Sequence, residues 1–190
     1  MDREELIARM DTPVKFQMVE SSIALIENND LDIEDLLAIS FHKKKEVAFR
    51  AAWMLEYLVK HKPLQFYPNV ERFLTLLPRQ KNPSAMRHYA KIVALMTDKK
   101  SNLLYKEALS SMEMGPVIEV LFTWLVDPAV LVASKVHCMQ ALANLTYRYD
   151  WIKTDLLETM EYLMDKESIA FFARAKMIKK QLNRPIKRGL

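Results

Sequence analysis

The chain has 190 residues, of which 51% are hydrophobic and 27% charged, and its formal net charge is +4. Its one cysteine, Cys138, excludes an internal disulfide framework and a C-x-x-C metal or redox motif. Its two glycines, Gly115 and Gly189, are too few for glycine-rich phosphate loops, the G-x-S-x-G elbow or a hairpin-rich β fold.

Helical periodicity predicts about nine helices, because apolar residues recur at spacings of three and four along most of the chain. Several prolines lie between the periodic stretches, where a missing backbone N–H does least harm. In chain order, the predicted helices are 13–28, 33–41, 46–61, 66–77, 84–97, 116–126, 131–148, 151–165 and 168–183.

Four of these stretches share one pattern. They are VAFRAAWMLEYLV (47–59), SAMRHYAKIVALM (84–96), KVHCMQALANL (135–145) and AFFARAKMIKKQL (170–182). Phe49 aligns with Met86, Val136 and Phe172, which gives offsets of 37, 50 and 36 residues, and Arg50 aligns with Arg87. The long middle offset indicates an insertion of about 13 residues at 100–114. Two helices per unit and a period near 36 to 40 residues are typical of an α-solenoid.

The clearest unit is VIEVLFTWLVDPAVLVASKVHCMQALANL (117–145), with an apolar first helix, Asp-Pro in the turn and A-L-x-x-L from Ala141 to Leu145. This unit resembles the repeats of HEAT and armadillo proteins, in the form of a small bacterial-type HEAT-like domain. The usual Val-Arg of the second helix is degenerate, and Lys135 is the nearest basic residue. The resemblance covers residues 13–183 and implies an all-α, right-handed superhelix of helix pairs. It also implies a scaffold or binding module rather than an enzyme.

Charge and length suggest how the chain is organised. Residues 1–35 carry ten acidic and three basic side chains, a net charge of −7, whereas the remainder carries +11. We expect a single domain over residues 1–183, with acidic N-terminal cap helices in residues 1–41 and a short basic tail at 184–190. The N-terminus lacks the features of a signal peptide, and no apolar run approaches the roughly 18 residues of a membrane span. We therefore expect a cytoplasmic protein without membrane contacts. Its oligomeric state stays open, with a monomer favoured.

In HEAT-like proteins the second helix of each pair lines the concave face, so the resemblance implies a groove there. The polar sides of those helices carry basic and aromatic residues, which suit a carboxylate, a phosphate or an apolar contact. The predicted binding surface comprises Arg50, Trp53, Tyr57, Arg87, Lys91, His137, Gln140 and Asn144, and His61, His88, Arg148, Lys176, Lys180 and Arg184 could extend it. We expect a protein or acidic peptide as partner, with nucleic acid as the alternative. A solvated face without a partner is the simplest other interpretation.

Catalytic and metal sites have little support. The four histidines are at least 19 residues apart in sequence, which leaves no H-x-x-x-H pair, and Cys138 has the spacing of a core residue. We expect no cofactor. HEAT-like folds include alkylpurine DNA glycosylases, but in YRYDWIKTDL (147–156), the string nearest to their W-D-L-V-D motif, Asp150 precedes Trp151.

A second echo lies at Lys81-Asn82-Pro83, which resembles the end of the signature loop in the fumarase and adenylosuccinate lyase superfamily. The serine-rich first half of that loop is missing, and the chain is too short for the central bundle of that family. We interpret these residues as an inter-repeat turn that begins the next helix.

Overall fold

The computed structural model describes residues 2–11, 24–28 and 31–183. Within these residues it contains eleven α-helices and no strand. They are α1 (Arg3–Asp11), α2 (Ile33–Ile39), α3 (Lys45–His61), α4 (Pro63–Phe66), α5 (Val70–Leu76), α6 (Pro83–Met96), α7 (Leu103–Ser110), α8 (Gly115–Val126), α9 (Val132–Leu145), α10 (Trp151–Leu163) and α11 (Ile169–Leu182). Residues 24–27 are also helical. The rest of the helix predicted at 13–28, and the tail at 184–190, lie outside the described residues.

The structure adds α1 and α7, which lie outside the predicted helices, and divides one predicted stretch differently. The predicted helix at 66–77 is instead a series of short elements, since Pro68 and Pro78 each occupy a 3-10 turn, Tyr67–Asn69 and Leu77–Arg79. Proline has no N–H to donate to the preceding turn, so a continuous α-helix would lose a hydrogen bond at each one. The insertion at 100–114 contains α7, which begins where the side chain of Asn102 accepts a hydrogen bond from the N–H of Leu104 at 3.0 Å.

The turn before α6 confirms the interpretation of Lys81-Asn82-Pro83. Asn82 is the N-cap of α6, and its side-chain oxygen accepts hydrogen bonds from the N–H groups of Ser84 (3.0 Å) and Ala85 (3.2 Å). Pro83 occupies the first turn, where no helical N–H is required. The side-chain amide of Asn82 also donates to the carbonyl of Lys45 at 3.2 Å, which ties the start of α6 to the start of α3.

The buried stripes of α3, α6, α9 and α11 repeat with one spacing pattern. Their members are Ala48, Ala52, Leu55 and Val59; Ala85, Tyr89, Ile92 and Met96; Ser134, Cys138, Ala141 and Leu145; and Phe171, Ala175, Ile178 and Leu182. The offsets are therefore 37 (Ala48 to Ala85), 49 (Ala85 to Ser134) and 37 (Ser134 to Phe171) residues. The predicted offsets of 50 and 36 were wrong, because α9 was placed one residue out of register.

The four helices with these stripes pack in a row, α3 on α6, α6 on α9 and α9 on α11. We call them the second helices. Further helices pack on this row: α2 on α3, α8 on α9, and α10 on both α9 and α11. This arrangement is an all-α helical solenoid, as the repeat pattern predicts, and a single buried cluster extends through it from Leu6 to Leu182.

Among the described residues, no single helix is long and apolar enough to cross a membrane. By length and composition alone, α7 and α8 together could span a membrane, but the pair is bent by 105° at the break between the two helices. The apolar side of α8 packs into the core, where Leu121, Trp124 and Leu125 are buried.

Candidate functional site

The sides of the second helices that point away from their buried stripes form a continuous surface, which we call the second-helix face. All eight residues predicted to bind a partner lie on three of these four helices: three on α3, two on α6 and three on α9. Their environments differ, however, and the differences separate residues that are available to a ligand from residues that hold the fold together.

On α3, three aromatic rings follow one another along this face. The ring centroids of Trp53 and Tyr57 are 6.1 Å apart, and those of Tyr57 and His61 are 4.4 Å apart. Trp53 and Tyr57 are half-buried against the core, so each keeps an accessible part. Arg50 lies one turn before Trp53, and its guanidinium donates to the carbonyl of Met10. Arg50 therefore fastens α1 to α3 as well as contributing charge.

A buried carboxylate joins α3 to α6. Glu56 is 9% exposed, with Oε2 2.6 Å from Nδ1 of His88 and Oε1 2.5 Å from Nζ of Lys91. Burial alone would raise the pKa of Glu56, but the hydrogen bonds from His88 and Lys91 outweigh it and hold the pKa below its ordinary value. Lys91 is thus already paired. Nε2 of His88 is buried without a hydrogen-bond partner among the described residues.

Sequence reasoning missed Glu56, although one signal pointed to it. Glu56 lies four residues after Ala52 and three before Val59, and both of these residues are buried in the same helix. A carboxylate inside an apolar stripe is rarely left unpaired, because burying a lone charge costs several kcal/mol.

On α9, the predicted residue Asn144 is buried, with 4% of its surface exposed. Its side-chain amide donates to the carbonyl of Ala94 at 3.0 Å and to the hydroxyl of Thr97 at 3.3 Å, at the end of α6. Gln140 donates to Oδ1 of Asn144 at 2.8 Å. We therefore assign Asn144 to the α6–α9 interface and leave it out of the binding surface proposed below.

The same glutamine connects α9 to α11. Arg174 donates to Oε1 of Gln140 at 2.6 Å, and Gln140 donates to Oε1 of Gln181 at 3.2 Å. Sequence reasoning named Lys176 and Lys180 on α11 and missed Arg174. Counted from the buried stripe, Lys176 and Lys180 occupy in α11 the places that Trp53 and Tyr57 occupy in α3, and both are exposed.

His137 is half-buried between α6 and α11. Burial lowers its pKa most, the positive charges of Lys91 and Arg87 lower it further, and the pKa falls to about 4. Arg174 acts in the same direction, whereas the carboxylate of Glu56 opposes it. His137 is therefore neutral at pH 7 in a positively charged environment.

Two of the residues that could extend the binding surface, Arg148 and Arg184, remain to be described. Arg148 lies beyond the end of α9 and donates to the carbonyls of Leu109 (2.5 Å) and Met112 (2.9 Å). It therefore ties the end of α7 and the turn that follows it to the end of α9. Arg184 lies outside the described residues.

Two cavities lie away from the second-helix face. One, of about 300 Å³, includes Arg3, Arg72 and Arg79 in its lining, and the other, of about 560 Å³, lies beside Ile26 and Leu58. None of the eight predicted residues lines either cavity. Residues 2–11, 24–28 and 31–183 contain no group of three His, Cys, Asp or Glu side chains placed to hold a metal ion.

The fold and the repeated stripes define a class of helical repeat protein. The model of the HEAT repeat domain family matches residues 6–182, so the chain belongs to that family. This membership confirms the resemblance that the unit at 117–145 indicates. No curated protein matches the chain.

Proposed function

We propose that the chain is a protein-binding module that takes an acidic segment of a partner on its second-helix face. HEAT repeat domains commonly act as scaffolds for protein interactions, and extended repeat surfaces suit that role. A repeat fold alone does not specify a ligand, so the rest of the proposal depends on the side chains of the face.

Unbalanced positive charge is the observation that carries the proposal. Arg87 is exposed and pairs with no carboxylate of the described residues, and Arg174 bonds to the neutral amide of Gln140. The carboxylate that reaches this region, Glu56, is occupied by His88 and Lys91. Guanidinium groups bind carboxylates with two parallel hydrogen bonds, so an acidic segment would satisfy them.

The aromatic run on α3 supports a protein partner in particular. Trp53 and Tyr57 are rigid, partly accessible and adjacent, which are properties of interface residues that contribute most to affinity. An acidic segment with an apolar side chain would place its charge between Arg87 and Arg174 and its apolar group on Trp53.

We propose binding without catalysis. Cys138, the one thiol, is fully buried and free, and burial raises its pKa far above the ordinary value, so a reactive thiolate is disfavoured. Lys81-Asn82-Pro83, which resembles the end of the lyase signature loop, forms the turn and N-cap that begin α6.

Nucleic-acid binding is the alternative that the basic charge beyond residue 35 favours. It differs from the proposal in one property that can be measured. Each phosphate contact releases counterions, so the affinity for nucleic acid would fall steeply with salt, whereas binding centred on Trp53 would be salt-tolerant.

The test is capture of partners from nuclease-treated lysate of the source organism, followed by cross-linking from position 60, an exposed residue of α3 about one turn after Tyr57, to identify the contacted segment. We expect a protein whose contacted segment is acidic, captured by wild type and lost with Arg87→Glu and with Trp53→Ala. Arg72→Glu, an exposed arginine outside the face, is the matched control and should capture as wild type does. Partners that disappear on nuclease treatment, or a contacted segment without acidic residues, would contradict the proposal.

A further inference from the structure

Three second helices carry a polar side chain at the same place in the repeat. These residues are His88, His137 and Arg174, which are 49 and 37 residues apart, as their buried stripes are. Two of them reach back to an acceptor on the preceding second helix: Nδ1 of His88 lies 2.6 Å from Oε2 of Glu56, and Arg174 donates to Gln140 at 2.6 Å. His137 makes no side-chain hydrogen bond within the described residues, and its ring nitrogens, unlike Nε2 of His88, are not sealed from solvent. The middle repeat therefore leaves this place open.

The charged groups that face this open place are known for each helix packed around it. From α6 come Arg87 and Lys91, from α11 comes Arg174, and from α3 comes Glu56, which acts at longer range. Glu56 pairs with Lys91 at 2.5 Å and so compensates that lysine. Within the part of the chain that the structure describes, the guanidinium groups of Arg87 on α6 and Arg174 on α11, the helices that flank α9, pair with no carboxylate.

We propose that this place, formed by Arg87, Lys91, His137, Gln140 and Arg174, binds the phosphate of a phosphorylated side chain in the partner segment. The inference rests on the proposed function, because the phosphorylated residue would belong to the segment bound on the second-helix face. A phosphorylated side chain carries about −1.5 to −2 charges at pH 7, and its oxygens can accept from two arginine forks at once. A single carboxylate would balance one of the two guanidinium groups.

The surroundings favour a protein segment over a nucleic acid. A nucleic-acid strand needs a basic groove that follows successive phosphates. Here the positive charges gather at one place, with the aromatic rings of Trp53 and Tyr57 on one side. On the other side α11 exposes Met177, which is 60% accessible. A single basic site flanked by apolar side chains suits a partner segment in which one phosphorylated residue has apolar neighbours.

In the pH range just above the pKa of free His137, binding of phosphate should be coupled to uptake of a proton. In the free protein burial and the neighbouring cations keep His137 neutral. A bound dianion compensates those cations and accepts a hydrogen bond from the ring, and both effects favour the imidazolium. The pKa of His137 is therefore expected to be higher in the complex than in the free protein.

The test uses the full chain and two small probes, N-acetyl-O-phosphoserine amide and N-acetyl-glutamate amide, titrated at constant ionic strength and followed by NMR. We expect the phosphorylated probe to bind at least about tenfold more tightly than the carboxylate probe. Arg87→Gln and Arg174→Gln should each weaken it about tenfold, whereas the control Arg72→Gln should leave it unchanged. With the phosphorylated probe bound, the titration midpoint of the His137 ring should rise by about one pH unit or more.

Each contrary outcome has a separate meaning. Equal affinity for the two probes would overturn the phosphate site, while capture of an acidic partner that depends on Arg87 would leave the proposed function standing. Loss of affinity in Arg72→Gln equal to that in Arg87→Gln would show general attraction between charges and overturn the site. If a thymidine oligonucleotide binds more tightly than the phosphorylated probe and displaces it from the site, the site would be assigned to nucleic acid. If circular dichroism shows that Arg174→Gln is unstable, Arg174→Lys takes its place. This variant keeps the positive charge but loses the paired donors of the guanidinium. Unchanged affinity of Arg174→Lys for the phosphorylated probe would overturn the binding of phosphate by two guanidinium groups.

Discussion

Nδ1 of His88 lies 2.6 Å from Oε2 of Glu56 in the packed interface between α3 and α6. The carboxylate is almost fully buried and is ionised because His88 and Lys91 together compensate its burial. It therefore holds the two helices that begin the second-helix face in a defined relation.

Replacement of this carboxylate should destabilise the fold. We expect Glu56→Gln to lower the free energy of unfolding by about 1–3 kcal/mol at pH 7, because the variant leaves buried partners without their acceptor. The exposed pair of Arg72 and Glu34, 3.8 Å apart, provides the control: Glu34→Gln should cost less than about 1 kcal/mol. Urea denaturation of both variants measures the difference, and equal costs would contradict this role for Glu56.

The same group should make stability depend on pH. The pKa of Glu56 is lower in the folded protein than its ordinary value of 4.5, so its contribution is present above that pH and is lost as the pH falls through the folded value. Between pH 6 and pH 3, wild type should therefore lose more stability than Glu56→Gln. Parallel loss in the two proteins, measured by urea denaturation at each pH, would show that other carboxylates account for acid sensitivity.

Asn144 should affect stability and leave ligand binding unchanged. Asn144→Ala removes the hydrogen bonds to Ala94 and Thr97, and we expect a cost of about 1–3 kcal/mol. Asn144→Asp should cost more, because a carboxylate would face the carbonyl of Ala94. Thermal unfolding gives the stability, and titration with the phosphorylated probe gives the affinity. A large loss of affinity in a folded Asn144→Ala protein would return this residue to the binding surface.

A buried ion pair between α9 and the turn before α11 offers a double-mutant test. Lys135 is 1% exposed and its ammonium pairs with Glu167. We expect Glu167→Gln to cost about 3–5 kcal/mol, because it leaves a buried ammonium without its anion. The double variant Lys135→Met and Glu167→Leu should recover most of that loss. Glu161→Gln, in the exposed pair with Lys179, is the control and should change stability by less than about 1 kcal/mol. If the double variant is no more stable than Glu167→Gln, the ion pair itself is needed.

Cys138 should react only when the protein opens. Its side chain is fully buried, and burial raises its pKa, so a disulfide reagent at pH 8 should modify the native protein very slowly. The rate of modification measured at increasing urea should follow the unfolding transition. Fast modification without urea would show that the α9 stripe is accessible in the native state.

The sequence predicted most of the longer helices, the repeat and the cap of α6 because these depend on local chemistry. It could not place α9 correctly, because the buried stripe of that helix begins with the polar Ser134 rather than with an apolar residue. Phe171 is fully buried and Phe172 is 46% exposed, and two adjacent phenylalanines give no indication of which one faces the core. Periodicity assigns a side of a helix but does not show whether a neighbouring helix covers it, so the roles of Asn144 and Arg174 required the structure.

The insertion between the second and third helix pairs has a consequence for how the chain unfolds. In a simple array each unit contacts its neighbours alone, so the ends can open while the middle persists. Here α7 is joined in two directions: Tyr105 donates to the carbonyl of Val59 in α3 at 2.9 Å, and Arg148, after α9, donates to the carbonyl of Leu109 in α7 at 2.5 Å. These links cross the boundary between units and penalise partly opened forms. The array is thereby expected to lose its structure in one cooperative transition rather than fraying unit by unit.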